Sequence, residues 1–328
     1  MKTIKINEVQ KYLLDARDEP VLRVAAGETF CVETDDALTG LVQDLSDTPK
    51  VRDMQDDPLS KELLSFNPPK LNPVVGPIYV EGAERGDVVE IEIVSVEPWR
   101  WGYTGILPNN GALRDSHRWG AEVRDLHIEL IEHVPGPSGS TADGKAKYGA
   151  IEWDLDPFIG TLAVAPDREV VSSLTGQGDF CGNIDCRDIQ AGNKIQINCN
   201  HDGALVYVGD CHGGQGDTEF TVLADETRAT VKLKVNVIKN KKIPGVRIEK
   251  PDSIVAIGMD LPLDEAVYSA ADNLMHWMQD EYGISPRDSY LRFSADPDFR
   301  VRTYQMVRAS ISHIAGAEYP KSRLKPAF

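Results

Sequence analysis

Residues 88–96, VVEIEIVSV, place an apolar side chain at nearly every second position, with Glu90 and Glu92 between them. A period of two suits an extended strand with one face in a core, because successive strand side chains point to opposite faces. The stretch ATVKLKVNVIK, from Ala229, repeats the pattern with lysines in place of glutamates. Shorter runs, TLAVAP and GALVYVGD, and the two runs in VLRVAAGETFCVET between Pro20 and Thr34, are bounded by Gly, Pro, Asn and Asp. Many short strands separated by turn residues predict a mainly β protein, sandwich- or barrel-like, rather than a parallel α/β sheet.

Helical periodicity enters only late. Val267, Ala271, Leu274, Met278 and Tyr282 recur at helical spacing within Asp264 to Tyr282, and Tyr304, Val307, Ile311 and Ile314 do so within Asp298 to Ile314. Both stretches are predicted as helices packed on the β-core. His276, beside Trp277, reads as a surface or satisfied histidine. Between Gly40 and Pro73 the composition shifts to Asp, Pro, Ser and Lys without periodicity, which predicts a long surface excursion. The segment DIQAGNKIQINC, from Asp188, echoes GAERGDVVEIEI, from Gly82, as two related β-units would. The expected organisation is one catalytic unit over residues 1–328, with two β-rich subdomains near 1–160 and 161–260 and a helical segment at 261–328.

Charge narrows the partners. With 52 acidic against 35 basic residues, a net charge of -17 argues against nucleic acid or an anionic membrane as partner, since both need clustered Lys and Arg. No apolar run approaches the roughly 18 residues of a membrane span, and MKTIKINEVQ lacks a secretory apolar stretch, so a cytoplasmic location is expected. Five cysteines, an odd number, read as reduced thiols rather than a disulfide framework.

The chemistry concentrates in VGDCHGGQGDTEF, residues 208–220. Asp210 and His212 are one residue apart, which puts both on one face of a continuing strand, and Asp217 and Glu219 share that spacing after the Gly-Gly-Gln-Gly bend. Asn183 and Asp185 repeat the spacing in DFCGNIDCRD. Imidazole with carboxylates is the usual ligand set of a catalytic zinc, whereas all-oxygen sets suit calcium or magnesium. Gly213, Gly214 and Gln215 are expected to admit and contact substrate. An Asp- and Gly-rich turn would explain either cluster alone; two clusters together favour a site. No zinc helix HExxH, EF-hand loop, phosphate-binding P-loop or GxSxG elbow occurs. Cys211 faces away from its neighbour His212 and reads as a packing residue. His117 fits a pocket rim or a solvated loop equally well.

The blocks GPIYVEGAERGDVVEIEI, DPFIGTLAVAP, GNIDCRDIQAGNKIQI and GALVYVGDCHGGQGDTEF resemble, in order and spacing, the signature blocks of the acetamidase/formamidase family. The resemblance implies a β-sandwich- or barrel-like fold with C-terminal helices packed on it. It also implies a cytoplasmic, homo-oligomeric amidohydrolase that releases ammonia from short amides and carries a divalent metal, zinc ahead of calcium. Position by position it implies Asn183, Asp185, Asp210, His212 and Glu219 as holders of the ion, with Glu219 and Asp217 handling protons. The family pattern has His-Gly-Gly-Asn where this chain reads DFCGNID, and GDGE where it reads GGQGDTE, so the pocket wall near Phe180 and Cys181 differs.

The expected reaction is metal-assisted hydrolysis of a small amide. The ion would polarise the carbonyl and acidify a water. Glu219 or Asp217 would act as base and then acid. A relative acting on a urea, carbamate or cyclic amide is the alternative, and a calcium-stabilised binding protein without catalysis is another. His212 discriminates, since a structural calcium site needs no imidazole.

Overall fold

The computed structural model describes residues 1–6, 10–42, 69–108, 110–307 and 311–327. Most of the excursion expected at 40–73 therefore lies outside the described residues. Its two ends tuck in: Leu41, Val42 and Leu71 join Trp101, Tyr103 and Leu223 in a small apolar cluster.

The alternating runs form the centre of a nine-stranded sheet. Strand Val88–Pro98 pairs antiparallel with Ala229–Ile238, setting Val235 opposite Ile91 and Lys234 opposite Glu92. Val89, Ile91, Ile93, Val231, Leu233 and Val235 are buried, each burial contributing about 2 kcal/mol. The charged partners line the other face, where Lys234 lies 3.4 Å from Glu92. The echoing segment supplies the neighbouring strand Lys194–Asn198, which pairs Ile195 with Ile91.

An eleven-stranded sheet packs against this face through Leu162, Val164, Val206 and Val208, which share one core with Ile91 and Leu233. At its centre run the antiparallel strands Phe158–Val164 and Val206–His212. Both are buried at every residue, because they are covered on both faces and lose the polar alternation of an outer strand. Each sheet takes strands from either side of residue 160, so the expected split into 1–160 and 161–260 does not follow the sheets. The chain leaves one sheet for the other repeatedly, and no cut at that point separates two cores.

The C-terminal part departs from expectation in one respect. Helix α1, Leu263–Tyr282, forms as predicted and buries Ala266, Ala270, Leu274, Trp277 and Met278. It lies close to the first sheet because Gly258 has no side chain: a Cβ there would run into the Ala266 carbonyl. Gly283, in the left-handed region at φ 65°, ends α1, and Ser285 caps helix α2, Pro286–Ala295. His276 is exposed, as expected. The described residues of 298–314 form no helix. Strands Arg300–Gln305 and His313–Pro320 form an antiparallel pair on the edge of the nine-stranded sheet. Ile311, part of the apparent helical stripe, is 58% exposed. Gly316 instead admits the Tyr304 ring, whose nearest atom would lie 2.6 Å from a Cβ at that position. The periodicity was satisfied by cross-strand packing, which helical spacing cannot distinguish over so short a run.

Candidate metal centre

The end of strand Val206–His212 carries the site. Register sets His212 between Phe158 on one neighbouring strand and Glu226, in the short strand Glu226–Thr227, on the other. Two residues earlier, Asp210 adopts φ 56°, a left-handed conformation tolerated by Asp and uncommon in a strand. Asp185, at φ 44°, follows strand Cys181–Asn183 and comes over the same spot. Gly160 makes this approach feasible, since a Cβ there would meet Asp185 Oδ1 at 2.7 Å and Asp210 Oδ2 at 2.9 Å. Glu219 arrives on the loop after the strand, itself in the left-handed region at φ 50°.

The result is one imidazole ringed by four buried carboxylates. Two overlapping trios, Asp185 with His212 and Glu219, and Asp210 with His212 and Glu226, each keep their ligand atoms within 4.8 Å of one another. His212 Nε2 lies 3.4 Å from Asp210 Oδ1 and 3.3 Å from Glu226 Oε2. Asp185 Oδ1, His212 Nε2 and Glu226 Oε2 are buried without a hydrogen-bond partner.

Gln215 fixes how the ring is used. Its Nε2 donates to the backbone carbonyls of Asp185 and Tyr304, both at 3.0 Å. Carbonyls only accept, so the amide oxygen must face His212 Nδ1, 3.0 Å away, and Nδ1 must carry the hydrogen. In the neutral ring Nε2 is then a lone pair aimed into carboxylate oxygens. Acceptors facing acceptors in a dry site require a cation or a proton between them. The donor set therefore fits a divalent ion, held by His212 and the surrounding carboxylates.

The same crowding shifts acidities. Burial, then the charge of Asp210, pushes Asp185 up to about 8, and burial, then Asp185, pushes Glu219 well above its usual range. Burial alone would lower His212, but Glu226 and Asp210 outweigh it and hold the ring well above the ordinary value. Such a site binds positive charge readily.

Other expected residues fall elsewhere. Asp217 stands outside the cluster, with a side chain 58% exposed and paired to Arg187 at 2.7 Å. Asn183 flanks the site, its Nδ2 donating to the Leu174 carbonyl at 2.9 Å and its Oδ1 accepting from Thr161 at 2.8 Å. Gln215, expected to contact substrate, spends both ends of its amide inside the protein. Phe180 is buried in the core against Gly178 and Gly182 rather than lining an opening. Gly213 is glycine because a Cβ would meet Asp225 Oδ2 at 2.5 Å, and Gly214 follows it, accepting at its carbonyl from the Asp225 amide at 3.1 Å. Cys211 is buried and its thiol is pushed up to about 12 by burial, consistent with packing.

Sequence reading missed Glu226, His133, Asp225 and Gln305. Glu226 carries no local signal, because its importance lies in a cross-strand register. His133 left one: it continues the buried alternation of Ile131 in the strand His127–Val134. Its Nδ1 donates to the Trp99 carbonyl at 2.6 Å, and its Nε2 meets both Asp225 carboxylate oxygens at 3.1 Å. This pair braces the backbone on which Gly213 and Glu226 sit.

Fold and site together define a mainly β protein with a candidate divalent-cation centre at the end of its central strands. The model of the Acetamidase/Formamidase family matches residues 16–179 and 175–254, and the chain belongs to that family. A formamidase of Methylophilus methylotrophus is 26% identical over 264 residues, covering 67% of this chain and 62% of its own. The curated relatives are matched over 53 to 62% of their own length. The crystal structure of an acetamidase from Bacillus halodurans aligns with a TM-score of 0.81 at 25% identity, covering 97% of each chain. That of an acetamidase from Yersinia enterocolitica aligns with a TM-score of 0.83 at 27% identity, covering 98% of this chain and 92% of its own. Among the described residues no helix is long and apolar enough to cross a membrane.

Proposed function

We propose that this protein is an amidase that hydrolyses the C–N bond of a small amide to carboxylate and ammonia, with a divalent ion held by Asp185, Asp210, His212, Glu219 and Glu226. Carrying the reading is the orphaned lone pair of His212 Nε2 among unpartnered carboxylate oxygens. The imidazole favours zinc over calcium, whose shell is all oxygen. When bound, such an ion polarises a carbonyl oxygen and acidifies water.

The chain's own residues do the rest. His212, turned by Gln215, and Asp210 and Glu226, braced on adjoining strands, would hold the positive charge of that ion. Glu219 comes from a loop rather than a strand, and is the carboxylate assigned to take a proton from the attacking water. It then returns that proton to the leaving nitrogen. Phe158, edge-on to His212 at 4.8 Å between ring centres, keeps this side of the ring dry. Asn183 supports the site through Thr161, whose hydroxyl also lies 3.3 Å from Asp210 Oδ2. A cytoplasmic location belongs to the same reading, supported by five free, buried cysteines.

The test is an ammonia-release screen over formamide, acetamide, branched and aromatic amides, ureas and carbamates, with metal analysis of the same sample. Release from a short amide, lost on chelation and restored by zinc, is expected. Release that survives both chelation and His212→Ala would overturn the metal-assisted reading, and release from none of these compounds would overturn the amidase reading.

A further inference from the structure

The site is completed by a part of the chain beyond the family match, which ends at residue 254. Gln305 closes the strand Arg300–Gln305 and is buried, its Nε2 hydrogen-bonded to Asp185 Oδ2 and 3.5 Å from Glu219 Oε2. Which end of a buried amide faces a carboxylate depends on what the other end meets, and here that can be followed to a backbone group.

Ser312 donates to Gln177 Oε1 from its backbone N–H at 3.2 Å, and its hydroxyl lies 2.7 Å from the same oxygen. A backbone N–H only donates, so Gln177 presents its oxygen there and its Nε2 on the far side. That Nε2 donates to the Asn183 carbonyl at 2.6 Å and to Gln305 Oε1 at 2.7 Å. Gln305 must then present its own N–H groups to the carboxylates. Every link in this chain runs one way, from the Ser312 backbone to Asp185.

The consequence for Asp185 is an asymmetry. Oδ2 is engaged by Gln305, while Oδ1 is buried without a partner and lies over Gly160, as does Asp210 Oδ2. The loop bearing Glu219 is tied to the same C-terminal strand, since Thr218 N donates to the Thr303 carbonyl at 2.9 Å and Met306 N to the Thr218 carbonyl at 3.1 Å.

We propose that Gln305, oriented by Gln177 and Ser312, is a positioning residue that turns Asp185 so that Oδ1 serves as an ion ligand, making the C-terminal strand pair a working part of the metal centre. The proposal rests on the metal reading above. Removing a partner that orients a metal ligand typically weakens metal binding by about 10- to 100-fold.

The experiment strips the full-length protein of metal and titrates it with Zn2+ and Co2+, following affinity and the visible absorption bands of the cobalt form, which report ligand geometry. Gln305→Met keeps length and volume while removing the donor. It is expected to weaken both ions about 10- to 100-fold and to shift the cobalt bands, with thermal unfolding of the metal-free protein nearly unchanged. Gln177→Met, which frees the Gln305 amide to turn over, should shift the bands in the same direction with a smaller loss. Gln305→Asn, which restores an amide, should recover part of the affinity. Wild-type affinity and unchanged bands in folded Gln305→Met overturn the proposal. Should Gln305→Met fail to fold, unchanged bands in Gln177→Met overturn it instead. A wild-type protein that takes up neither ion overturns the metal reading itself, and this proposal with it.

Discussion

Asp188 and Glu318 are buried carboxylates, as are Asp185, Asp210, Glu219 and Glu226, but the first two are matched by cations of the chain. Lys250 Nζ lies 2.8 Å from Asp188 Oδ1 and 3.0 Å from Glu318 Oε1, and Arg302 Nε lies 2.8 Å from Glu318 Oε2. Ser253 donates to Glu318 at 2.7 Å, and the Tyr304 hydroxyl donates to Asp188. In the other group the one basic side chain among four carboxylates is His212. The two groups meet at Tyr304, whose hydroxyl serves the first and whose backbone carbonyl holds Gln215 for the second. Burial and residue type are alike, so the difference lies in compensation. A cluster balanced from within is architecture; a cluster left short of positive charge is prepared for something that brings it.

The contrast can be broken most sharply at Glu219. Glu219→Gln should lower the rate of ammonia release by about 10²- to 10⁴-fold while the protein stays folded, checked by circular dichroism alongside the assay. Next in size is Lys250→Met, which strands Asp188 while Glu318 keeps Arg302, and should cost about 3 kcal/mol in urea unfolding. Glu226→Gln should do the opposite to the metal-free protein. Removing one of four crowded charges raises its melting temperature by ~2 °C or more, while stabilisation by added zinc is lost.

Acid separates the two groups more gently. Burial would raise Glu318, but Ser253, Arg302 and Lys250 outweigh it and bring it to about 2. Because the folded value lies below the ordinary one of 4.5, its stabilisation is fully present above pH 4.5 and is lost as pH falls through about 2. Between pH 5 and 2 the wild type should therefore lose about 1 kcal/mol more than Glu318→Gln, a figure discounted for screening by nearby water. Smallest is the effect of Asp217→Asn. Its exposed ion pair with Arg187 is worth less than about 1 kcal/mol, and ammonia release should change less than about threefold. A large loss there would return Asp217 to the chemistry beside Glu219.

Much of the fold was legible in the sequence because strand alternation is a local property. Val89, Ile91 and Ile93 announce a half-buried strand whatever else the chain does, and the helix ending at Tyr282 showed its apolar stripe. The stretch 298–314 misled because four apolar residues at helical spacing also suit an edge strand pair, where Tyr304 packs on Gly316. At the site, Asp210, His212, Asp185 and Glu219 stood out by type and spacing. Gln215 also stood out, but its role did not: only the carbonyls of Asp185 and Tyr304 reveal which end of its amide meets the imidazole.

By itself, then, the sequence determined that the chain forms antiparallel β-structure and that Asp210 and His212 lie near each other at the end of one strand, since both follow from a period of two. Tertiary structure decided which carboxylates join them. Glu226 enters through its register opposite His212, Asp185 through the room left by Gly160, and Gln305 through a strand more than 90 residues beyond His212. Charge compensation depends on distances across the folded core, and residues far apart in the chain carry no local pattern that records them.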